Sequence, residues 1–294
     1  MRFAAPFTVL DGGLSTVLED AGFDLRHPLW TARLIAENPE ALVEAHLSYL
    51  RAGAEIVITS SYQADAAGLA STTALAREAV ERHHAERPDL ERALVAASVG
   101  PFGATRADGS EYHGSYGIDH AALRDFHASR LAVLIESGPD LLAIETIPTV
   151  AEANAIADAL GGLDPLPSWL AFTCRDGSHT AGGDRIEDAI ETAARIPGLV
   201  AVGVNCTSPG FIEPLLRRAT TVTDLPLIAY ANGGQVWNAE AGVWEGNAVA
   251  ADDPAVVSTW LDTGAQIVGG CCGVGPGGIA GLRVWRDSLA GASH

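Results

Sequence analysis

The chain has 294 residues, and its 48% hydrophobic and 19% charged content is typical of a folded globular protein. Its 37 acidic residues outnumber 18 basic ones, and the resulting net charge of −19 disfavours binding to the phosphate backbone of nucleic acids. Every basic residue is arginine, so the chain can form no internal lysine Schiff base and no Walker A phosphate loop.

Short apolar runs recur along the chain and have the near-continuous hydrophobicity of parallel strands that are buried on both faces. In chain order these predicted strands are Phe7–Leu10, Glu55–Thr59, Leu94–Val99, Leu141–Glu145, Trp169–Thr173, Val200–Val204, Leu227–Tyr230 and Gln266–Gly269. Most gaps between them hold a segment with helical periodicity. The predicted helices are Pro39–Gly53, Thr72–Glu86, Ala121–Ser137, Val150–Leu160, Ile186–Ile196, Glu213–Thr221, Pro254–Gly264 and Gly277–Ala290.

This alternation predicts an α/β fold, a single (β/α)8 TIM-type barrel that covers residues 1–294. A doubly wound open sheet is the alternative, but no Gly-x-Gly-x-x-Gly motif follows the first strand. Two longer connections, residues 100–117 and 231–253, follow the third and seventh strands, and we interpret them as lids. No stretch approaches about 20 consecutive apolar residues, and the first strand begins too early for a signal peptide, so we expect a cytoplasmic protein without a membrane span.

Polar residues and cysteines follow several predicted strands at the C-terminal face, where barrel enzymes carry their catalytic groups. In chain order they are Asp11, Thr59, Glu145, Asn205-Cys206 and Cys271-Cys272. Strands six and eight are one strand apart in such a barrel, so three thiolates from their ends can converge on one metal ion. Three thiolates favour zinc with an open fourth position, although Cys174, after strand five, is a candidate fourth ligand for a closed structural site.

Thiolate ligands make zinc a weak Lewis acid, but the ion can keep a further thiol ionised near pH 7, below the usual thiol pKa of about 8.5. The expected reaction is therefore the alkylation of a thiol. Asp11 and Glu145 can hold an ammonium group or favour a cationic donor. Alternatively each can cap the helix that follows it, or the two can form a retaining-glycosidase pair, which leaves the cysteines unexplained.

At these residues the sequence resembles the homocysteine S-methyltransferase family, and within it the bacterial S-methylmethionine-dependent enzymes. The resemblance runs from Asp11 to Arg283. Its most specific parts are Gly203-Val204-Asn205-Cys206 and Gly269-Gly270-Cys271-Cys272-Gly273, and segments around Thr59–Ala64, Ser98–Gly103, Ala107–Tyr112 and Glu145-Thr146 follow the same pattern.

The resemblance implies one Zn²⁺ ion bound by Cys206, Cys271 and Cys272, with the sulfur of homocysteine as the fourth ligand. It also implies a set of substrate-binding residues, in which two carboxylates hold the amino group of homocysteine: Asp11, Trp30, Thr59, Glu145 and Asn205. The implied reaction transfers a methyl group from a sulfonium donor, S-methylmethionine, to homocysteine and gives methionine.

Two departures from the family pattern concern the methyl donor. Ala231-Asn232-Gly233-Gly234-Gln235 replaces the Pro-Asn-Ser-Gly-Glu of many relatives, and Thr146 replaces a tyrosine of betaine-using relatives, which disfavours betaine. S-adenosylmethionine as donor and selenohomocysteine as acceptor are alternatives. Two other classes of function are a barrel hydrolase that uses Asp11 and Glu145 with structural cysteines, and a non-catalytic zinc-binding module.

Overall fold

The structure is a computed structural model that describes residues 6–23, 32–106, 108–234, 236–238, 243–245 and 250–291. Its strands, in chain order, are β1 (Thr8–Val9), β2 (Ile56–Ile58), β3 (Leu94–Val99), β4 (Leu141–Ile147), β5 (Ser168–Phe172), β6 (Leu199–Asn205), β7 (Leu227–Ala231), β8 (Val236–Asn238), β9 (Val243–Glu245) and β10 (Ala265–Gly270). All except β8 and β9 belong to one eight-stranded sheet, in which every pairing is parallel. The β8 and β9 strands form an antiparallel hairpin that the sequence patterns did not predict.

The eight-stranded sheet closes on itself between its first two strands. The order of strands is β1-β10-β7-β6-β5-β4-β3-β2, and a parallel bridge joins Leu10 to Ile56 across the remaining gap. Two backbone hydrogen bonds support this closure, from Glu55 N to Val9 O at 2.8 Å and from Asp11 N to Ile56 O at 3.1 Å. The predicted (β/α)8 barrel is confirmed, with β10 as its eighth strand.

Helices flank the barrel strands. The helices are α1 (Leu14–Asp20), α2 (Ala32–Glu37), α3 (Pro39–Arg51), α4 (Ala66–Glu86), α5 (His120–Glu136), α6 (Val150–Leu160), α7 (Ile186–Ala193), α8 (Pro209–Ala219), α9 (Pro254–Asp262) and α10 (Pro276–Gly291). Of these, α1 and α2 were not predicted, α4 and α8 begin several residues earlier than predicted, and several others end one to three residues earlier. The α4 helix begins earlier than predicted because Asp65 caps it, accepting a hydrogen bond from Gly68 N at 2.8 Å. The α8 helix also begins earlier, at Pro209, a residue that is well suited to the first helical turn.

The interior of the barrel is filled by large side chains that pack against small ones. Trp169 and Tyr230 are fully buried there, with their ring centroids 6.4 Å apart and the rings nearly perpendicular. Alanines from neighbouring strands, including Ala143 and Ala201, leave room for these two rings. The hydroxyl group of Tyr230 reaches the C-terminal end of the barrel, so the core supports the site described below. Among the described residues, no helix combines the length and the apolar content that a membrane span requires.

Candidate active site

Three cysteines come together at the C-terminal mouth of the barrel. The sulfur atoms of Cys206, Cys271 and Cys272 lie within 4.8 Å of one another. Cys206 directly follows β6 and Cys271 directly follows β10. The intervening strand β7 holds both, because Cys206 N donates to Tyr230 O at 3.1 Å and Cys271 N donates to Ala231 O at 2.8 Å. The three sulfur atoms therefore meet because β6 and β10 are both neighbours of β7 in the barrel.

The three-sulfur group is open on one side. Within the part of the chain that the structure describes, no fourth Cys, His, Asp or Glu atom completes it. Cys174, the candidate fourth ligand, lies elsewhere: it is buried in the core outside the barrel, and its Sγ is 4.0 Å from Phe172 O. The hydrogen bond with Cys206 and the burial of the site raise the pKa of the Cys271 thiol, whereas a bound dication has the opposite effect on a thiol.

Close backbone packing fixes the two cysteines that follow β10. A Cβ atom added at Gly12 would lie 2.3 Å from Val274 O, and one added at Gly270 would lie 2.4 Å from the Val274 Cβ. The lack of a side chain at Gly12 therefore allows Val274 to approach the Asp11-Gly12-Gly13 turn, and the lack of one at Gly270 allows Val274 to pack against the end of β10. Tyr49 closes the arrangement, since its hydroxyl donates to Gly13 O at 2.7 Å.

Two residues at the strand ends adopt left-handed backbone conformations although neither is glycine. Thr146 has φ 60° and Cys206 has φ 46°, a strained region for side chains of this kind. The amide of Asn205 holds Thr146 in place. It accepts from Thr146 N at 2.7 Å and donates to Thr146 Oγ1 at 2.8 Å. Asn205 thus ties the end of β6 to the segment that carries Glu145.

Asp11 is a buried carboxylate with one free oxygen. It is 3% exposed, its Oδ2 accepts from Ile58 N at 2.8 Å, and its Oδ1 has no hydrogen-bond partner in the structure. Burial, together with the negative charge of Glu145, raises the pKa of Asp11. The alternative role of Asp11 as a helix cap is wrong, because Gly13 occupies the N-cap position of α1 and no side chain caps that helix.

Glu145 is held from both sides. Its Oε1 accepts from Ser98 Oγ at 2.5 Å and its Oε2 accepts from the Tyr230 hydroxyl at 3.2 Å. Burial raises the pKa of Glu145 to about 7, so the carboxylate is poised to ionise near neutral pH. Helix capping is wrong for Glu145 as well, because Thr149 caps α6.

The polar contacts of Glu145 continue into the barrel on both sides. Trp169 Nε1 donates to the Tyr230 hydroxyl at 3.0 Å, which leaves the Tyr230 proton for Glu145. On the other side, Thr59 Oγ1 accepts from Ser98 N at 3.1 Å and lies 2.8 Å from Ser61 Oγ. Because Ser61 donates its own proton to Ser98 O, Thr59 is the donor to Ser61 and retains one lone pair for a ligand.

A single cavity of about 840 Å³, open mouth included, brings these groups together. Of the predicted residues, it is lined by Asp11, Thr59, Glu145, Cys206, Cys271 and Cys272. Asn205 does not line it, because its amide is directed to Thr146. Trp30 lies outside the described residues, as do residues 235, 239–242 and 246–249 of the predicted lid at residues 231–253. Among the described residues, the lining contains no arginine and no histidine.

Four further residues line the cavity that sequence patterns did not single out: Tyr62, Glu111, Tyr112 and Tyr230. Tyr62 follows β2, and Tyr112 lies 3.9 Å from Cys206 Sγ through its hydroxyl. Glu111 and Tyr112 belong to a short 3₁₀ helix, Ser110–Tyr112, within the predicted lid at residues 100–117. The signal for Tyr62, Glu111 and Tyr112 was their place in the family segments Thr59–Ala64 and Ala107–Tyr112, whereas Tyr230 was predicted only as the last residue of the seventh strand.

Three thiols and two buried carboxylates surround one cavity at the C-terminal mouth of the barrel. This is the arrangement of an enzyme active site in a (β/α)8 barrel. The sequence profile of the family described as homocysteine S-methyltransferase matches residues 8–285. The chain belongs to the homocysteine S-methyltransferase family. The predicted class of enzyme, a methyltransferase that acts on a thiol, is thereby confirmed, and the hydrolase alternative is set aside.

Individual relatives agree with this assignment. Homocysteine S-methyltransferase 1 of Arabidopsis thaliana is 40% identical over 92% of this chain and 90% of its own length. Selenocysteine Se-methyltransferase of Brassica oleracea var. italica is 38% identical over 98% of this chain and 92% of its own length. The homocysteine methyltransferase MmuM of Escherichia coli, in a metallated crystal form, superposes with a TM-score of 0.84 at 37% identity, covering 95% of this chain and 96% of that one.

Proposed function

We propose that this protein is a zinc-dependent homocysteine S-methyltransferase that takes the methyl group from S-methylmethionine. The observation that carries the proposal is the three-sulfur group of Cys206, Cys271 and Cys272, which faces the same cavity as Asp11 and Glu145. The metallated form of the Escherichia coli relative and the names of the plant relatives support it.

The donor set fits zinc. Tetrahedral zinc with Zn–S bonds of about 2.3 Å separates its sulfur ligands by roughly 3.8 Å, and sulfurs within 4.8 Å of one another need only a small adjustment. Cys206, Cys271 and Cys272 would hold the ion, and three protein ligands are typical of catalytic rather than structural zinc sites. When bound, zinc would lower the pKa of a coordinated thiol and so keep that thiol ionised near neutral pH.

Asp11 and Glu145 bind the ammonium group of homocysteine in this proposal. Asp11 Oδ1 has no partner, and Glu145 is fixed by Ser98 and Tyr230, so the two carboxylates present free lone pairs in one orientation. Thr59 Oγ1 offers the ammonium group one further acceptor, the lone pair that its contact with Ser98 N leaves free. Anchoring the amino group at these residues directs the homocysteine thiol toward the cysteines and fixes its approach to the donor.

A cationic donor suits the acidic cavity. Its described lining offers the carboxylates of Asp11, Glu145 and Glu111 and no basic side chain. In the proposed reaction the ionised sulfur of homocysteine forms a bond to the methyl carbon, and the bond from that carbon to the sulfonium sulfur breaks. The electron pair stays on the donor sulfur, which leaves as a neutral thioether, so no residue has to protonate the leaving group. The thiol proton is released to solvent.

We also propose that residues 100–117 cover the cavity. Buried Glu152 anchors this segment near both ends, because its carboxylate accepts from Phe102 N at 2.6 Å and from the Tyr116 hydroxyl at 2.7 Å. His127 lies 2.9 Å from the same carboxylate and completes the anchor. Between the two attachment points, Glu111 and Tyr112 face the cavity.

The test is methionine formation from homocysteine, followed by mass spectrometry with isotopically labelled methyl donors. Zinc-loaded, reduced protein is incubated separately with S-methylmethionine, S-adenosylmethionine and betaine. Labelled methionine from S-methylmethionine at a rate well above that with the other two supports the proposal. Turnover with another donor alone overturns the choice of donor, and no turnover by protein shown to contain zinc overturns the proposed reaction. Selenohomocysteine in parallel reactions measures acceptor preference.

A further inference from the structure

Glu111 is a buried carboxylate for which neither the cysteines nor homocysteine gives a reason. It is 4% exposed, it lines the cavity, and its Oε2 has no hydrogen-bond partner in the structure. Burial is also the main cause that raises the pKa of Glu111, to about 7. Burying a carboxylate without a partner is costly, and a protein retains such a group where a ligand supplies the missing contact.

The backbone around Glu111 is tightly fixed, so the position of its side chain is built into the fold. Glu111 N would lie only 2.4 Å from a Cβ atom added at Gly103, which shows that the two segments are in direct contact. Ser110 N donates to Asp108 Oδ1 at 3.0 Å, and Gly114 N donates to Ser110 O at 2.8 Å. The turn that carries Glu111 is thus held from both sides.

Glu111 lies beside the part of the cavity where a methyl donor must sit. Its chain neighbour Tyr112 has its hydroxyl 3.9 Å from Cys206 Sγ, and Tyr62 lines the same cavity. In a methyl transfer the reacting atoms approach to about 3–3.5 Å, so the donor sulfur must sit close to the three-sulfur group.

Glu111 differs from the other two carboxylates in the element that carries it. Glu145 belongs to β4 and Asp11 follows β1, whereas Glu111 belongs to the 3₁₀ helix Ser110–Tyr112. Tyr62 and Tyr112 add aromatic rings to the wall beside Glu111, and aromatic faces attract cations.

We propose that Glu111, with the rings of Tyr62 and Tyr112, forms the subsite that binds the sulfonium centre of the methyl donor. This inference rests on the proposed methyl transfer from a sulfonium compound. The sulfonium charge disappears as the methyl group leaves, so a carboxylate beside it stabilises the bound donor more than the transition state. Glu111 therefore sets the affinity for the donor and its specificity, and it does not accelerate the reaction of the bound complex.

Glu111→Gln tests the subsite through separate steady-state constants. We expect the KM for S-methylmethionine to rise roughly 10- to 100-fold, the loss typical of a charge-assisted contact. The kcat is expected to stay unchanged or to rise, and the KM for homocysteine to change less than about twofold. Thermal unfolding and zinc content of the variant, compared with the wild type, establish that the site is intact.

Asp108→Asn is the matched control, because it removes a negative charge from the same turn but retains an acceptor for Ser110 N. Asp108 is exposed and does not line the cavity, so its KM values are expected to stay within about twofold of the wild type. An equal rise in donor KM for Asp108→Asn and Glu111→Gln would show a general charge effect and overturn the subsite.

Trimethylsulfonium, which has the sulfonium charge and no amino-acid group, identifies the part of the donor that Glu111 contacts. Its inhibition constant is expected to rise in Glu111→Gln in parallel with the KM for the donor. The inhibition constant of methionine, whose sulfur is uncharged, is expected to stay constant. Unchanged inhibition by trimethylsulfonium, or an unchanged donor KM, overturns the inference although wild-type turnover still supports the proposed function. Absent wild-type turnover, by contrast, is a failure of the proposed function itself.

Discussion

Replacing Asn205 with alanine is expected to destabilise the protein strongly although the residue does not line the cavity. Asn205 is fully buried, and both ends of its amide bond to Thr146. The Asn205→Ala variant leaves the buried N–H of Thr146 without a partner and removes the donor to its buried hydroxyl, at a cost of about 1–3 kcal/mol each. Relaxation of Thr146 from its left-handed conformation, which costs about 1–2 kcal/mol, offsets part of this loss. We therefore expect a loss of roughly 2–5 kcal/mol in the free energy of unfolding.

Urea unfolding and thermal unfolding of reduced, chelator-treated protein measure this loss without a contribution from bound metal. The melting temperature should fall by roughly 5–10 °C, given about 2 °C or slightly more per kcal/mol for a chain of this size. Asn154→Ala is a control on the partly exposed face of α6, where a similar truncation is expected to change stability by no more than about 0.5 kcal/mol.

A double-mutant cycle shows whether Thr146 is the cause. Thr146→Gly removes both the hydroxyl and the side chain that is strained at φ 60°. In the Thr146→Gly background, Asn205→Ala should cost at least about 1 kcal/mol less than in the wild type. An equal cost in the two backgrounds would refute the assignment of Asn205 as the residue that holds the Thr146 backbone.

Three further predictions concern the site. Cys272→Ser should weaken zinc binding roughly 100-fold or more by competition with a chromogenic chelator, and a wild-type affinity in the variant would exclude Cys272 as a ligand. The pKa of Glu145 is raised to about 7, so the carboxylate is ionised above this pH and protonated below it. The KM for homocysteine should therefore rise as the pH falls from 8 to 6, and the Glu145→Gln variant should show a flatter dependence of this KM on pH. Gly12→Ala places a Cβ 2.3 Å from Val274 O, whereas a Cβ added by Gly210→Ala meets no atom within 4 Å. Only Gly12→Ala should lower the melting temperature, by an amount that corresponds to about 1–3 kcal/mol.

The fold could be predicted from the sequence because each barrel strand is an apolar run that stands out from its surroundings. The ends of the strands differ from the prediction where backbone pairing with the neighbouring strand, rather than the apolar composition of the run, determines them. The β4 strand continues to Ile147, two residues beyond the predicted Glu145, because Ile147 pairs with Phe172 after a register shift. Only Thr8 and Val9 of the first apolar run form a continuous strand, since Leu10 makes an isolated bridge to Ile56.

The convergence of the cysteines could be predicted because strand order brings the ends of the sixth and eighth barrel strands close together. The surroundings of the carboxylates could not. Nothing in the local sequence shows that Glu145 is held by Ser98 and Tyr230, which come from two other strands. Glu111 was missed for a similar reason, because its burial depends on how an irregular segment folds over the barrel. The contact of Asn205 with Thr146 likewise joins two strand ends far apart in sequence.

The absence of basic side chains from the described lining of the cavity has a consequence for turnover. In the proposed reaction the donor enters with a positive sulfur, and both products leave with a neutral one. The carboxylates that attract the donor therefore lose an attractive partner in the same step that makes the product. Methionine should be retained less tightly than the compound it replaces, so the chemistry itself promotes exchange of product for fresh donor and limits inhibition by accumulated methionine.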